Sequence, residues 1–438
     1  MGRTRVIVVG AGPSGILTCR HLLDGQDPRN PLQITIIGDQ AASQPTTIDV
    51  DGIACDVATV YTHPGYHNTV EKLASQIGTK INYLPPAQLV DSQGTITAMA
   101  AAGVGDMIRI AIFLAHTTVA RCIRHTWLST IFHQGRMSSY LRFVGLSGLL
   151  SSYIFAPGAV AQGYGPMNEV ASYRLFRWLR PSLFLISMMP TIAGRGGVGM
   201  VDGGYGTLFR RIYDALPVEK DTRLVRRVEE GRVVLVSGDI LEADHIFVCC
   251  PLQRIETPLR IFPHETEFTL FASVLWTSTY NPAGLNDRMY SMDSIMEASH
   301  DRMLMVRRYG QTSSGDYIYW AVAYTTPGRS HEEVLRLLQS HATELGVSFK
   351  ETKFFRVFDY NHRFTPRSIA NGTHLRVRHA QGMGGIWYLG GLMSHWDIDN
   401  IYEDALEKVS WFYQYHIRPG SWTRQRFEYY RNYIQSWI

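Results

Sequence analysis

The chain has 438 residues, enough for two or three domains at roughly 100–200 residues each. Its apolar share of 45% and charged share of 18% exclude disordered, collagen-like and fibrous classes and leave a globular protein with an ample core. Lys and Arg number 42 against 38 Asp and Glu, a net charge of +4 with the basic residues scattered, so nucleic acid is not an expected partner.

The start, MGRTRVIVVGAG, runs directly into a strand and predicts no signal peptide. No apolar stretch reaches the roughly 18–20 uninterrupted residues that span a bilayer, so the expectation is a cytoplasmic protein with no integral membrane anchor. Val6–Val9 is a short continuous apolar run, suited to a strand buried on both faces. It ends in Gly10-Ala11-Gly12-Pro13-Ser14-Gly15, and a helical pattern follows through Leu17, Cys19, Leu22 and Leu23. Gly10 makes the tight turn, Gly12 lets backbone approach a pyrophosphate, and Gly15 allows close helix–strand packing. The helix start offers unpaired N–H groups and partial positive charge to phosphate. A second strand, Leu32–Ile37, follows, and Asp39 just past its end is placed to accept from ribose hydroxyls. Strand, glycine turn, helix, strand and acid together predict a dinucleotide site.

Thr46–Val60 reads as a hairpin with Asp51-Gly52 at its turn, and His67–Ile77 as a helix. From about Ile96 to Ile186 the chain is largely helical and rich in apolar and aromatic residues. A second literal GxGxxG, Gly194 to Gly199, lacks strand–turn–helix context and reads as a glycine-rich loop, giving no support to an NADPH site. Gly203-Gly204-Tyr205-Gly206 precedes an amphipathic helix, Thr207–Ala215. Asp221–Pro251 alternates as strand pairs, with Cys249 and Cys250 closing the run IFVCC as buried strand residues. The other cysteines, Cys19, Cys55 and Cys122, form no CxxC, which excludes a disulfide scaffold or structural zinc site. Phe268–Thr326 is strand-rich, and His331–Leu345 is a helix striped by Val334, Leu335 and Leu338. Gly385–Gly391 is a strand running into a glycine turn, followed by a helix from Ile398 to Tyr415 with Asp397 as its cap.

The nucleotide-binding pieces are therefore scattered along the chain, an order that favours a flavin binder over a plain NAD dehydrogenase. The expected divisions are 1–95, 191–255 and 376–438 for the nucleotide domain, 96–190 for a helical substrate-covering lobe, and 256–375 for a strand-rich substrate domain.

The segments VIVVGAGPSG, VDGGYGTLFRRIYDAL, ADHIFVCCP and GIWYLGGLMSHWDIDNIYEDALEKV resemble, in that order, FAD-dependent amine-oxidase-like flavoproteins. DGIACDVATVYTHPGYHNTVEKLASQIG, FDYNHRF and AQGMGGIWYLGGLMSHW point to the branch holding β-cyclopiazonate dehydrogenase and polyunsaturated fatty acid isomerase. The resemblance covers most of the chain outside about 96–190. It implies an α/β fold, with a discontinuous Rossmann-like FAD-binding domain of the glutathione-reductase/amine-oxidase type, an inserted substrate domain and a helical lobe. This sequence departs from the family in carrying Gly38-Asp39 where a Glu ends the second strand. The arginine and paired glycines that usually follow are also missing.

The resemblance assigns the ADP half of FAD to Gly10, Gly12, Pro13, Ser14, Gly15 and Asp39, with Val225 presenting backbone to the adenine. Gly390, Gly391 and Ile398 would border the isoalloxazine, the helix start stabilising charge gathered there on reduction. His395, beside that glycine turn, is the candidate proton carrier ahead of His63, His67 and His362. Tyr360, Trp387 and Tyr388 are a candidate aromatic wall, against ordinary core packing. Asp56 reads equally as a buried acid or a solvated turn residue. No paired-carboxylate or hydrolase pattern is present.

The function expected is FAD-dependent oxidation of a C–N or C–C bond in a small organic, secondary-metabolite substrate, with O2 or a redox partner as electron acceptor. Two alternatives are a redox-neutral isomerase of an unsaturated fatty acid and a catalytically inactive flavin-fold binding partner. The isomerase would need a carboxylate-binding arginine, for which Arg136, Arg142, Arg174 and Arg177 are present.

Overall fold

A computed structural model of the chain describes residues 3–39, 45–58, 62, 68–84, 88–90, 96–97, 104–123, 126–146, 163–178, 198–281, 289–292, 300–393 and 398–417. The chain divides into two compact units. One is made of Met1–Gln44, Phe209–Thr266 and Asn371–Ile438, the other of Pro45–Leu208 and Glu267–Ala370.

The first unit is built on a five-stranded parallel sheet in the order Ile386–Tyr388, His245–Val248, Arg5–Val9, Gln33–Ile37, Glu219–Asp221. Its central strand is apolar without alternation because both faces are covered, and Val6 to Val9 are all buried. The helix Pro13–Gly25 packs along Ile398–Phe412. The Tyr402 ring meets His21 edge-on at 4.5 Å, and the Tyr413 hydroxyl donates to the Leu22 carbonyl. The C-terminal helix is shorter than the sequence pattern suggests: its α part stops at Phe412 and Tyr413–Ile417 continues as a π turn. A separate antiparallel ribbon, Val225–Glu229, Arg232–Leu235 and Ile240–Glu242, completes the return strands.

The second unit carries a seven-stranded mixed sheet in the order Glu351–Phe364, Thr266–Ser278, Tyr317–Tyr324, Met303–Gln311, Met289–Met292, Gln88–Val90, Ile96–Thr97. Alternation along its strands gives it two apolar faces. One, with Val274 and Trp276, takes the helix His331–Glu344 through Val334, Leu338 and Ala342, and that helix starts with a Ser330–Glu333 capping box. The other face, with Leu275, Met305 and Trp320, is closed by the hairpin Thr47–Val50 and Ile53–Asp56. The hairpin turns at Asp51 (φ 57°) and Gly52 (φ 79°), the left-handed pair a two-residue turn requires. A third apolar cluster joins the helices Val104–Ile123, Met137–Phe143 and Ser172–Trp178.

Two expectations need correction. Gly199 is not in a loop: Val198–Val201 is a strand beside Ile81–Leu84, and Thr62 exchanges both backbone bonds with Gly199 on its other side. Gly194 to Gly197 lie outside the described residues. Cys249 and Cys250 are not strand residues either, because the strand ends at Val248. No described helix is long and apolar enough to cross a membrane.

Candidate functional site

The first unit gathers its glycines at one edge of the parallel sheet. Each strand passes its last hydrogen bond to the residue just beyond its neighbour: Leu389 N–H to Val248, Cys249 to Val9, Gly10 to Ile37 and Gly38 to Asp221, at 2.7–2.9 Å. Gly390, Cys249, Gly10 and Gly38 therefore stand near the carboxyl ends of adjacent strands, where ligands of open α/β sheets bind. Backbone packs so closely at Gly15 and Gly38 that a side chain there must displace it. A Cβ on Gly15 would lie 1.8 Å from the Gly10 carbonyl oxygen. Gly10 itself sits at φ +113°, with its Cβ position 3.1 Å from Cys249 backbone. The helix Pro13–Gly25 opens from this edge with Gly12 as its N-cap, a residue with no side chain to accept from the first N–H groups. Its first N–H groups and dipole are thus left to an anion.

Asp39 is exposed immediately past Gly38, and Ile398 is buried at the start of its helix. Val225 belongs to the antiparallel ribbon and not to the parallel edge. Trp387 is a core residue, stacked on Phe247 at 5.8 Å and edge-on to Phe412. Tyr388 is buried as well, its phenol shifted upward by burial against opposing hydrogen bonds from Leu259 backbone and the Thr257 side chain. Those two residues line a cleft of about 610 Å³ that contains none of the residues expected at the site. In the second unit Tyr360 stacks on Phe271 at 5.2 Å and His362 lies against Phe268 at 5.3 Å. His63, His67, His395 and Asp397 lie outside the described residues.

The second unit holds a buried cluster that only Asp56 announced in the sequence. Asp56 is 1% exposed, so the buried-acid reading holds. Its Oδ1 accepts from Thr47 Oγ1 at 2.6 Å and from the Tyr205 N–H at 2.9 Å, while Thr47 Oγ1 accepts from Gly206 N–H at 2.9 Å. The hairpin thus caps the helix Tyr205–Ala215 from across the chain, which explains why that helix starts at Tyr205 and not at Thr207. Gly204 is required by the same approach, since a Cβ there would meet Thr47 Oγ1 at 2.4 Å and Asp56 Oδ1 at 2.7 Å. Burial pushes the Asp56 carboxyl up to about 7, against the hydrogen bonds from Thr47 and Tyr205 and the positive charge of Arg307. Thr47 and Tyr205 converge on Oδ1, and the Gly206 N–H also bonds the carboxyl.

Arg307 is 6% exposed. Its guanidinium lies 4.0 Å over the Tyr309 ring and also hydrogen-bonds the Tyr309 side chain, and its Nη1 lies 3.3 Å from Met200 Sδ. Its Nε has no hydrogen-bond partner among the described residues, and Asp56 is the carboxyl whose charge it acts on. The Tyr309 hydroxyl donates to the Asp56 carbonyl at 2.6 Å. A buried cation is costly unless charge and hydrogen bonds compensate it, and a ligand carboxylate could add to what Asp56 and Tyr309 supply. Of the arginines weighed from the sequence, Arg174 is buried but bonded to Asn361 Oδ1 at 2.6 Å, and Arg136 and Arg142 are exposed. The Arg177 side chain is not among those described. Sequence reasoning missed Arg307 because its strand, MLMVRRYGQ, shows two adjacent arginines and no motif. A single arginine facing inward among Met305 and Tyr309 was the available signal.

No family model matches the sequence, and no curated protein matches it. Solved structures match over nearly its whole length. A CLA-producing fatty acid isomerase from P. acnes superposes with a TM-score of 0.77 at 14% identity, covering 94% of this chain and 99% of that one. Putrescine oxidase, in a triple mutant with redesigned cofactor binding, gives 0.68 at 13% identity over 93% and 98%. Cyclohexylamine oxidase from Brevibacterium oxydans IH-35A gives 0.64 at 13% identity over 94% and 100%. The chain has the amine-oxidase-like fold.

That fold brings with it a dinucleotide edge, and the residues present fit one. A helix N-terminus that begins at glycine, tight packing at Gly15 and Gly38, and an exposed acid past the second strand are compatible with FAD there.

Proposed function

We propose that the chain is an FAD-dependent oxidoreductase acting on a small organic substrate. The observation that carries this reading is the close-packed glycine edge at the start of Pro13–Gly25, whose N-cap is Gly12. Gly10, Gly12, Pro13, Ser14 and Gly15 hold the diphosphate, Asp39 the ribose and Val225 the adenine. Gly390, Gly391 and Ile398 border the ring, where the N–H groups of the Ile398 helix favour negative charge. When bound, FAD would supply a hydride acceptor for a substrate C–H bond, so that a C–N or C–C bond becomes C=N or C=C as a proton leaves the neighbouring N or C, with O2 or a redox partner as final acceptor. His395, by its place in sequence after Gly391, is the proposed proton carrier. The buried Tyr388, bonded to Leu259 and Thr257, is better read as packing. The amine oxidases among the structural neighbours support an amine substrate, and the sequence resemblance to a fungal dehydrogenase supports a secondary metabolite. Anaerobic mixing with a panel of amines tests this: a substrate bleaches the visible flavin bands, and a bleaching-free panel opposes net oxidation of amines.

A second reading, isomerisation of an unsaturated fatty acid, is favoured by one observation, the buried Arg307 whose Nε has no hydrogen-bond partner among the described residues. In this reading Arg307 receives the substrate carboxylate, and burial, which disfavours the charged form of Asp56, limits the repulsion from that neighbour. With linoleate as probe, turnover appears as conjugated-diene absorbance without lasting bleaching. Arg307→Met then raises KM by roughly 100-fold, the value of a charged hydrogen-bonded pair. The same change leaves stability equal or higher by roughly 1–3 kcal/mol, because a buried charge is removed. An unchanged KM in Arg307→Met sinks the carboxylate role.

A further inference from the structure

The helical region of the second unit leaves an apolar face on its surface. On Val104–Ile123, Ile108, Ile112 and Val119 are 55–63% exposed and recur at the spacing of one helix face. Phe143, 78% exposed, leans on His116 of that helix with ring centroids 6.1 Å apart, which places it one turn from Ile112 and Val119. Just past the end of the helix, Trp127 is 66% and Phe132 57% exposed. Soluble proteins scatter such residues singly; a contiguous group of them marks a docking surface.

Charge identifies what docks. Residues 96–190 contain eight arginines, no lysine and two acids, Asp106 and Glu169, a net of +6. With +4 for the whole chain, everything else sums to −2, so the excess positive charge lies in this region. Arg109, Arg136 and Arg142 are exposed there, against Glu169 as the single exposed acid among the described side chains. A second copy of the same face would bring arginines against arginines, which opposes self-association. An apolar face edged by arginine matches the boundary between acyl chains and acidic headgroups.

We propose that this face is a peripheral docking site for an anionic lipid surface, lying on the bilayer and not through it. The full-length protein supplies its own reporter, since Cys122 is exposed on the same face of the helix, three residues past Val119, while the other four cysteines are buried or half-buried. With an environment-sensitive maleimide on Cys122, vesicles of phosphatidylcholine with phosphatidylserine should shift the probe emission to the blue and sediment the protein. High salt should reverse much of that binding, and phosphatidylcholine vesicles alone should bind far less. Phe143→Ser should weaken binding about tenfold, the share of one buried phenylalanine, without moving the melting temperature. Arg142→Glu should weaken binding to phosphatidylserine vesicles and leave residual binding to neutral ones unchanged. Three results overturn the proposal: no partition onto either vesicle, equal binding to both, or a Cys122 that fails to label in the native protein because the chain covers the face itself. A concentration-dependent dimer abolished by Phe143→Ser would reassign the face to self-association.

Discussion

The glycine edge of the first unit and the Asp56–Arg307 cluster of the second are built from opposite materials. The edge is made of backbone: four strand ends hand hydrogen bonds to one another, and its chemistry lies in N–H groups and in the absence of Cβ atoms. The cluster is made of side chains brought together from Thr47, Asp56, Met200, Arg307 and Tyr309, with two backbone N–H groups as helpers. A backbone site fails where added volume meets packed backbone, as at Gly15. A side-chain site tolerates modest volume changes and answers to changes of charge, as at Asp56.

The sharpest way to break that contrast is to swap the insults. Gly15→Ala adds a single methyl group and no charge, yet its Cβ meets the Gly10 carbonyl. It should cost roughly 3 kcal/mol and release flavin, measured by urea unfolding and retained absorbance. A stable, yellow Gly15→Ala would mean that the turn is not the close-packed one described.

Asp56→Asn keeps the shape of the cluster and removes only its titration. The folded Asp56 holds its proton up to about pH 7, whereas the unfolded carboxyl releases it near its ordinary value of 3.8. Stability drawn from neutral Asp56 is therefore complete below the unfolded value and is lost as pH rises through about 7. The native protein should lose on the order of 3 kcal/mol between about pH 5 and pH 8, and Asp56→Asn should flatten that slope. An unchanged slope would show that Asp56 does not titrate in this window. The smallest change is Thr47→Val, which deletes the bonds to Asp56 and Gly206 and should cost about 1–2 kcal/mol in the same unfolding experiment.

The same contrast explains what could be read from the sequence. Val6–Val9, the GAGPSG turn and the helix after it are local, so strand, turn and cap spacing predicted them within a residue or two. The hairpin at Asp51-Gly52 was legible for the same reason. Nothing local links Asp56 to Tyr205, 149 positions away, or Arg307 to Met200, 107 positions away. Only the folded sheet pairs them. The Gly203-Gly204-Tyr205-Gly206 run looked like a helix approach, and its true demand, room for Thr47 and Asp56, comes from a partner that sequence spacing does not reveal. Cys249 was misplaced because apolar residues continue past Val248, beyond the last paired position of the strand.

The central claim is that the glycine edge holds FAD. Gly12 is its most informative position: with φ −79° and ψ −177° its backbone suits any residue, and an aspartate there could cap the helix as well as repel a diphosphate. The measurement is the visible absorption spectrum of purified native protein beside purified Gly12→Asp, each after incubation with FAD and removal of the excess. The account predicts flavin bands in the native protein and a colourless Gly12→Asp of equal or slightly higher melting temperature. A colourless native protein, or a Gly12→Asp that retains its flavin, would contradict it.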